Sequence, residues 1–276
     1  MHRVNGKSIR LIVNADDYGY FNCISQGILA VAKSGNLSAT GVLGNAQSIN
    51  EQLLWLDAID SLDIGVHLNL SYQYPLTRVM SEKLSAWEGK FPGVFQMTRL
   101  ILSGRISIKD IRSEWIAQIE ACRGRKLMFL NSHEHIHMLP ALFRLTLELA
   151  QKFYIPNVRL TQPEWWFPCG LAAVIRNGLM QILQTFNQVG CKISAPFLIG
   201  LSHSGRLELD YLEKVFSRLK PGNSYELMCH PGYFNANEIT DQKLIAYHDW
   251  QKELALLQSL ELQELYRKFN ISLVNY

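Results

Sequence analysis

Three histidines, His133, His135 and His137, stand at alternate positions in "NSHEHIHMLP" (131–140), in a chain that has 8 histidines in all. Neutral imidazole is the commonest metal ligand, so clustering this tight points to a cation more than to hydrogen bonds in a crowded loop. If the segment stays extended, all three share a face; if it turns helical before Pro140, His133 and His137 become an i, i+4 pair. Either way His133, nearest the preceding strand, is the first choice as ligand. His137 is second, as reserve ligand or substrate contact, and His135 has no assigned role.

Other groups could join them. The pair Asp16 and Asp17 in "ADDYG" would by itself be a polar strand end leading into a turn at Gly19. Two adjacent carboxylates on a strand point opposite ways, so one can bind a cation while the other faces a bound water. His67 in "IGVHLNL" sits among apolar residues, where a lone histidine is usually a satisfied core residue; beside carboxylates and histidines it becomes a candidate ligand. His230 ends the apolar run "ELMCHPGY", and Glu226 shares its face of an extended strand. Glu226 either orients or charges His230, directly or through another group, or is a buried partner for an arginine elsewhere. Arg159, at the end of "IPNVRLT", could bind a substrate hydroxyl or carboxylate. The aromatics of "YQYP" and "EWWFP" either stack on sugar faces or pack in the interior.

The elements that position these groups alternate in a βαβα rhythm. "IRLIVNA" (9–15) precedes a helical pattern in "ISQGILAVAKSG" (24–35). Then come "SATGVLGN" (38–45), a helix near 47–59, "LDIGVHLNL" (62–70), a helix near 108–122 and "KLMFLNS" (126–132). Pro140 suits the first turn of the next helix. "IPNVRLT", the pattern from Gly170 to Gln188, "APFLIGL", a helix near 208–219, "YELMCHP" and a terminal helix from 240 to 268 follow, with "ISLVNY" as a last strand. About seven or eight mostly parallel strands with crossover helices predict an α/β fold, an irregular (β/α) barrel in a single domain spanning 1–276. Strand count does not decide closure. Asp16, Asp17, His67, His133 and His230 all fall at C-terminal strand ends, the rim that barrel active sites use. Residues 71–107 break the rhythm with prolines, glycines and aromatics, as a lid or substrate-binding insertion would.

Composition bounds the function classes. Hydrophobic residues at 48% and charged residues at 18% describe an ordinary globular chain. A net charge of +3, dispersed along the chain, gives no basic surface for nucleic acid or membrane, and a small-molecule partner is expected. No apolar run reaches the roughly 18 residues of a membrane span. The N-terminus lacks a signal-peptide pattern, which makes the cytoplasm the expected location. Cys23, Cys122, Cys169, Cys191 and Cys229 are odd in number, scattered and without CxxC spacing, and read as reduced core thiols.

Five motifs, "LIVNADDYG", "IGVHLNL", "EWIAQIE", "NSHEHIHMLP" and "ELMCHPGY", together resemble the YdjC-like carbohydrate deacetylases, which include chito-oligosaccharide deacetylases and a hopanoid-biosynthesis branch. They occur in the family's order from Leu11 to Tyr233. The resemblance implies an irregular barrel around a divalent cation held by Asp17, His67 and His133. Asp16 matches the family's catalytic base and His230 its catalytic acid. Magnesium is the metal the resemblance implies, whereas two imidazoles and a carboxylate suit zinc by ligand softness. One position departs from the family pattern: Asn131 stands where an Asp precedes "SH", keeping size and acceptor oxygen but losing the charge.

The activity so implied is metal-dependent hydrolysis of the N-acetyl group of an amino sugar or oligosaccharide, releasing acetate. Two alternatives stay open: a metal-independent glycoside hydrolase pairing Asp16 with a second carboxylate, and a sugar- or metal-binding protein that releases no acetate. A homodimer is the base-rate expectation for assembly.

Overall fold

The computed structural model describes residues 7–189 and 194–276. Its strands are β1 (Ile9–Tyr18), β2 (Ala39–Val42), β3 (Asp63–Leu68), β4 (Leu127–Ser132), β5 (Asn157–Val158), β6 (Phe197–Ile199), β7 (Ser224–Cys229) and β8 (Ile271–Leu273). All pair in parallel, in the order β5-β4-β3-β2-β1-β7-β6, with β8 beside the first residues of β1. The expected barrel is therefore a curled seven-strand sheet, and among the described residues β5 and β6 do not close it. Arg159, one residue past β5, nonetheless reaches Glu226 on β7, which shows how far the sheet curls.

The helices follow their local signals. They are α1 (Asn22–Lys33), α2 (Ile49–Leu56), α3 (Arg78–Lys83), α4 (Val94–Leu102), α5 (Ile108–Ala121), α6 (Pro140–Lys152), α7 (Gly170–Gln188), α8 (Leu209–Phe216), α9 (Gln242–Tyr247), α10 (Trp250–Leu257) and α11 (Leu260–Lys268). Ser107 and Asp110 form a reciprocal capping box that starts α5, and Pro140 takes the first turn of α6 as expected. The single terminal helix expected over 240–268 is three helices. Asp241, Asp249 and Ser259 each accept N-terminal N–H groups, so each begins a new helix.

Residues 71–107 fold into α3, a single 3-10 turn and α4. The buried carboxylate of Glu114 on α5 anchors this segment by accepting from the backbone of Leu76 and Thr77 and from the Thr77 hydroxyl. Cys23, Cys122 and Cys229 are buried free thiols as expected. Cys169 is exposed, which corrects its assignment to the core, and Cys191 lies outside the described residues.

Inside the curl, polarity rises along the strands. Ile12, Ala39 and Phe129 pack at the N-terminal end, where the Tyr276 ring stacks on Phe129 with centroids 4.5 Å apart. Two residues further along, the same inward faces carry Asn14 on β1 and Asn131 on β4, and then Asp16 at the rim. Gly41 on β2 makes room there: a Cβ at this position would come within 3.2 Å of the His67 Cβ and 3.3 Å of Asn131 Oδ1.

Candidate metal and catalytic centre

Strand alternation would send Asp16 and Asp17 to opposite faces, but the backbone prevents it. Asp17 has a left-handed φ of +69°, and the β1–β2 register shifts between Ala15 and Tyr18. This bulge aims both carboxylates at one imidazole: His67 Nε2 lies 3.2 Å from Asp17 Oδ1, and its Nδ1 lies 3.7 Å from Asp16 Oδ1. His133 joins from the end of β4, its Nδ1 2.8 Å from the same Asp17 oxygen. One donor atom each from Asp17, His67 and His133 lie within 4.8 Å of one another.

Asn131 connects this group to Asp16. Its Nδ2 donates to Asp16 Oδ1 at 2.9 Å, and its Oδ1 accepts from His67 Nδ1 at 2.7 Å. A carboxylate only accepts, so Asp16 settles which way the amide points. His67 must then carry its proton on Nδ1, and its Nε2 lone pair faces Asp17.

Burial alone would push the Asp16 carboxyl up, but the Arg159 guanidinium beside it brings it down to about 2. Arg159 grips both oxygens, Nη1 to Oδ2 at 2.5 Å and Nη2 to Oδ1 at 3.0 Å. Its Nε donates to Glu226, which also accepts from Asn14. Burial likewise opposes charge on His133, and the Asp17 carboxylate overrides it, holding the imidazole near 9.

The other sequence candidates divide. His230 follows Cys229, which pairs with Ala15, so it emerges at the level of Asp16. It is buried, and its Nδ1 meets no partner among the described residues. Gly27 of α1 allows this approach, because a Cβ there would lie 2.5 Å from the Gly232 Cα. Arg159 is fully engaged by Asp16 and Glu226 and is not free for substrate, which corrects that expectation. Glu226 is the buried partner of Arg159, the second of its two readings.

His137 is neither a reserve ligand nor a substrate contact. It is buried, its Nδ1 meets Ser132 Oγ at 2.6 Å and its Nε2 lies 3.0 Å from the Arg159 carbonyl. Burial keeps it neutral, its pKa lowered to about 3. Both geometries considered for "SHEHIH" fail for one reason: Glu134 and His135 adopt left-handed φ of +51° and +54°, reversing the chain between His133 and His137. His135 turns to Thr161, 3.1 Å away.

Of the aromatics, Tyr72 packs tilted against Tyr20, centroids 3.9 Å apart, and the Tyr20 ring lies 5.1 Å from that of His133. Trp166 and Phe167 pack on the core, while Trp165 is exposed beside Gln181 of α7. Three residues near the centre carry no motif in the sequence. Glu253 accepts the His230 backbone N–H at 2.6 Å, the His248 ring lies 5.1 Å from that of His230, and Tyr20 forms the wall beside His133.

Residues 10–268 match the family described as YdjC-like protein. The chain belongs to the YdjC-like family. Among named relatives of this YdjC-like protein, a carbohydrate deacetylase of Clostridium beijerinckii is 25% identical over 270 residues, covering 97% of this chain and 99% of the relative. The mouse (Mus musculus) carbohydrate deacetylase is 26% identical, covering 82% and 78%. A chitooligosaccharide deacetylase of Yersinia pestis is 27% identical, covering 83% and 84%. A crystal structure from Enterococcus faecalis superposes with a TM-score of 0.72 at 22% identity, covering 98% of each chain, and shows the same fold.

Proposed function

We propose that this YdjC-like protein hydrolyses the N-acetyl group of an amino sugar or oligosaccharide, with a divalent cation held by Asp17, His67 and His133. The observation that carries the reading is the 3.2 Å approach of His67 Nε2 to Asp17 Oδ1. With the His67 proton committed to Asn131, lone pair faces lone pair, an arrangement stable only with a cation or proton between them. The donor set of two imidazoles and a carboxylate fits such an ion, and softness favours zinc over magnesium. Bound there, the cation supplies a Lewis acid for the acetyl carbonyl and for the attacking water.

The chain's own residues do the rest. Asp16, kept ionised by Arg159, accepts the proton of the attacking water. Its Oδ2 receives one donor while Oδ1 receives two, so Oδ2 is the oxygen with room for that proton. His230, with a ring nitrogen unpartnered among the described residues, gives a proton to the departing amine. Tyr72, partly exposed and backed by the buried Tyr20, offers aromatic surface beside His133 for a sugar face, and through it residues 71–107 form part of the substrate wall. The glycosidase alternative fits less well, because Glu226, the carboxylate that shares Arg159 with Asp16, is buried and holds that arginine.

The test is acetate release from a panel of N-acetylated mono- and oligosaccharides, by metal-stripped protein and by protein restored with zinc or magnesium. Release that requires a metal supports the reading. Sugar binding without acetate under either metal would sink it and leave a binding protein.

A further inference from the structure

His230 has a second imidazole beside it. The His248 ring lies 5.1 Å away, half-buried, and its Nδ1 meets no partner among the described residues. Two contacts hold that ring: it stacks on the buried Trp250 with centroids 5.0 Å apart, and Gly205 closes over its edge, where a Cβ would come within 2.7 Å of Nδ1. The Gly205 carbonyl accepts from Asp249 N at 2.8 Å, which pins the loop between β6 and α8 to the link between α9 and α10.

His248 also borders a cavity of about 490 Å³, lined by Arg206 and Glu208 between β6 and α8, by Phe234 after β7, and by Ala246 and Trp250. Its volume falls in the range of sites that enclose small molecules, roughly 300–1,000 Å³. Glu253 fixes the cavity relative to His230. That one carboxylate accepts from Leu207 N at 3.2 Å, next to Arg206, and from His230 N at 2.6 Å.

The lining identifies the chemical class of the occupant. Its two cations are engaged within the protein, Lys252 by Glu208 at 2.5 Å and Arg206 by the carbonyls of Ala246 and Tyr247. An anionic ligand would have to displace one of these partners. Phe234 offers its ring instead, 39% exposed and tilted only 13° from the plane of Trp250. An aromatic face among fixed hydrogen-bonding groups suits an uncharged ring rich in hydroxyls, which sets its C–H face on the one and its O–H groups against the others.

We infer that this cavity is the subsite for the neighbouring sugar of an oligosaccharide, with Phe234 under that sugar's face and His248 at the linkage. The inference rests on the deacetylase reading, in which His230 protonates the departing amine: the ring that bears the amine lies against His230, and its neighbour in the chain passes His248. The preferred substrate is then at least a disaccharide.

The test is calorimetric binding and acetate release, with N-acetylglucosamine and N,N′-diacetylchitobiose, by protein restored with zinc or magnesium. The native protein should prefer the disaccharide by about 10-fold or more, in binding and in kcat/KM. Phe234→Ala should lower that preference by about 10-fold, and Ala246→Trp, which fills the cavity from an exposed position on α9, should abolish it. Leu54→Ala, exposed on α2, should leave it unchanged. Far-ultraviolet circular dichroism checks that each variant is folded. A native protein that treats the two sugars alike, or a preference that survives in either cavity variant, overturns the inference. Disaccharide binding that falls in both variants while no acetate appears under either metal would retain the subsite and sink the deacetylase reading alone.

Discussion

Asn131 accepts the Nδ1 proton of His67 at 2.7 Å, and that one hydrogen bond decides which imidazole nitrogen is left for a cation. The resemblance of the motifs leads one to expect a carboxylate at this position. The amide keeps the acceptor for His67 and adds a donor to Asp16, so one side chain aligns a proposed ligand and the proposed base.

Removing that acceptor should therefore weaken metal binding without touching a ligand. Asn131→Leu is expected to lose about 10–100-fold in zinc affinity, the usual cost of losing a residue that orients a ligating histidine. Asn131→Asp, which retains an acceptor, should lose much less. Competition with a chromophoric chelator measures both; equal losses would mean that the hydrogen bond does not orient His67.

The proposed function gives the two aspartates separable roles. Asp16→Asn should abolish acetate release while metal content survives, and His133→Ala should lose the metal. Metal analysis of the purified variants, set beside turnover, distinguishes them. Loss of metal from Asp16→Asn would show that ligand and base are reversed.

Arg159 lies between two buried carboxylates, and Arg159→Met would leave both without their countercharge. Breaking a buried pair this way costs about 3–5 kcal/mol. Urea denaturation should show that loss at neutral pH. A change below about 1 kcal/mol would mean that water or a rearranged neighbour compensates.

Acid should destabilise the metal-free protein well before its carboxylates titrate. Burial lowers His137 to about 3 and His248 to about 3, against 6.5 for an unburied imidazole. Between those values the unfolded chain binds protons at these two positions that the folded chain does not, so their contribution to stability is full above 6.5 and falls as pH drops toward 3. Urea midpoints measured from pH 7 downward should decline below about 6.5, and less steeply in His137→Asn. A flat profile down to pH 4 would contradict this.

Much of the site was legible in the sequence, because strand ends mark the rim of a parallel curled sheet. "ADD", "GVHL" and "NSH" each end a strand, and their side chains meet where the topology brings those ends together. The backbone reversals at Asp17 and at Glu134–His135 were not legible, since no glycine marks a left-handed residue there. Alternation alone therefore separated the two aspartates and aligned the three histidines, both incorrectly. Arg159 was visible at a strand end but not its direction: it meets Asp16 across 143 residues of sequence, and only the curl of the sheet turns it inward. Glu253 and His248 carry no motif because one arrives from a helix, whose spacing reports packing and not chemistry, and the other from the short link between α9 and α10. Strand count likewise left open whether β5 meets β6.

The bulge in β1 has a mechanical consequence. Because Asp16 and Asp17 are consecutive, a single rigid peptide plane joins the Cα atoms that carry the proposed proton acceptor and the proposed ligand. A shift elsewhere in the sheet leaves that Cα spacing unchanged. A scaffold open along one side can in this way still keep its reacting groups in tune.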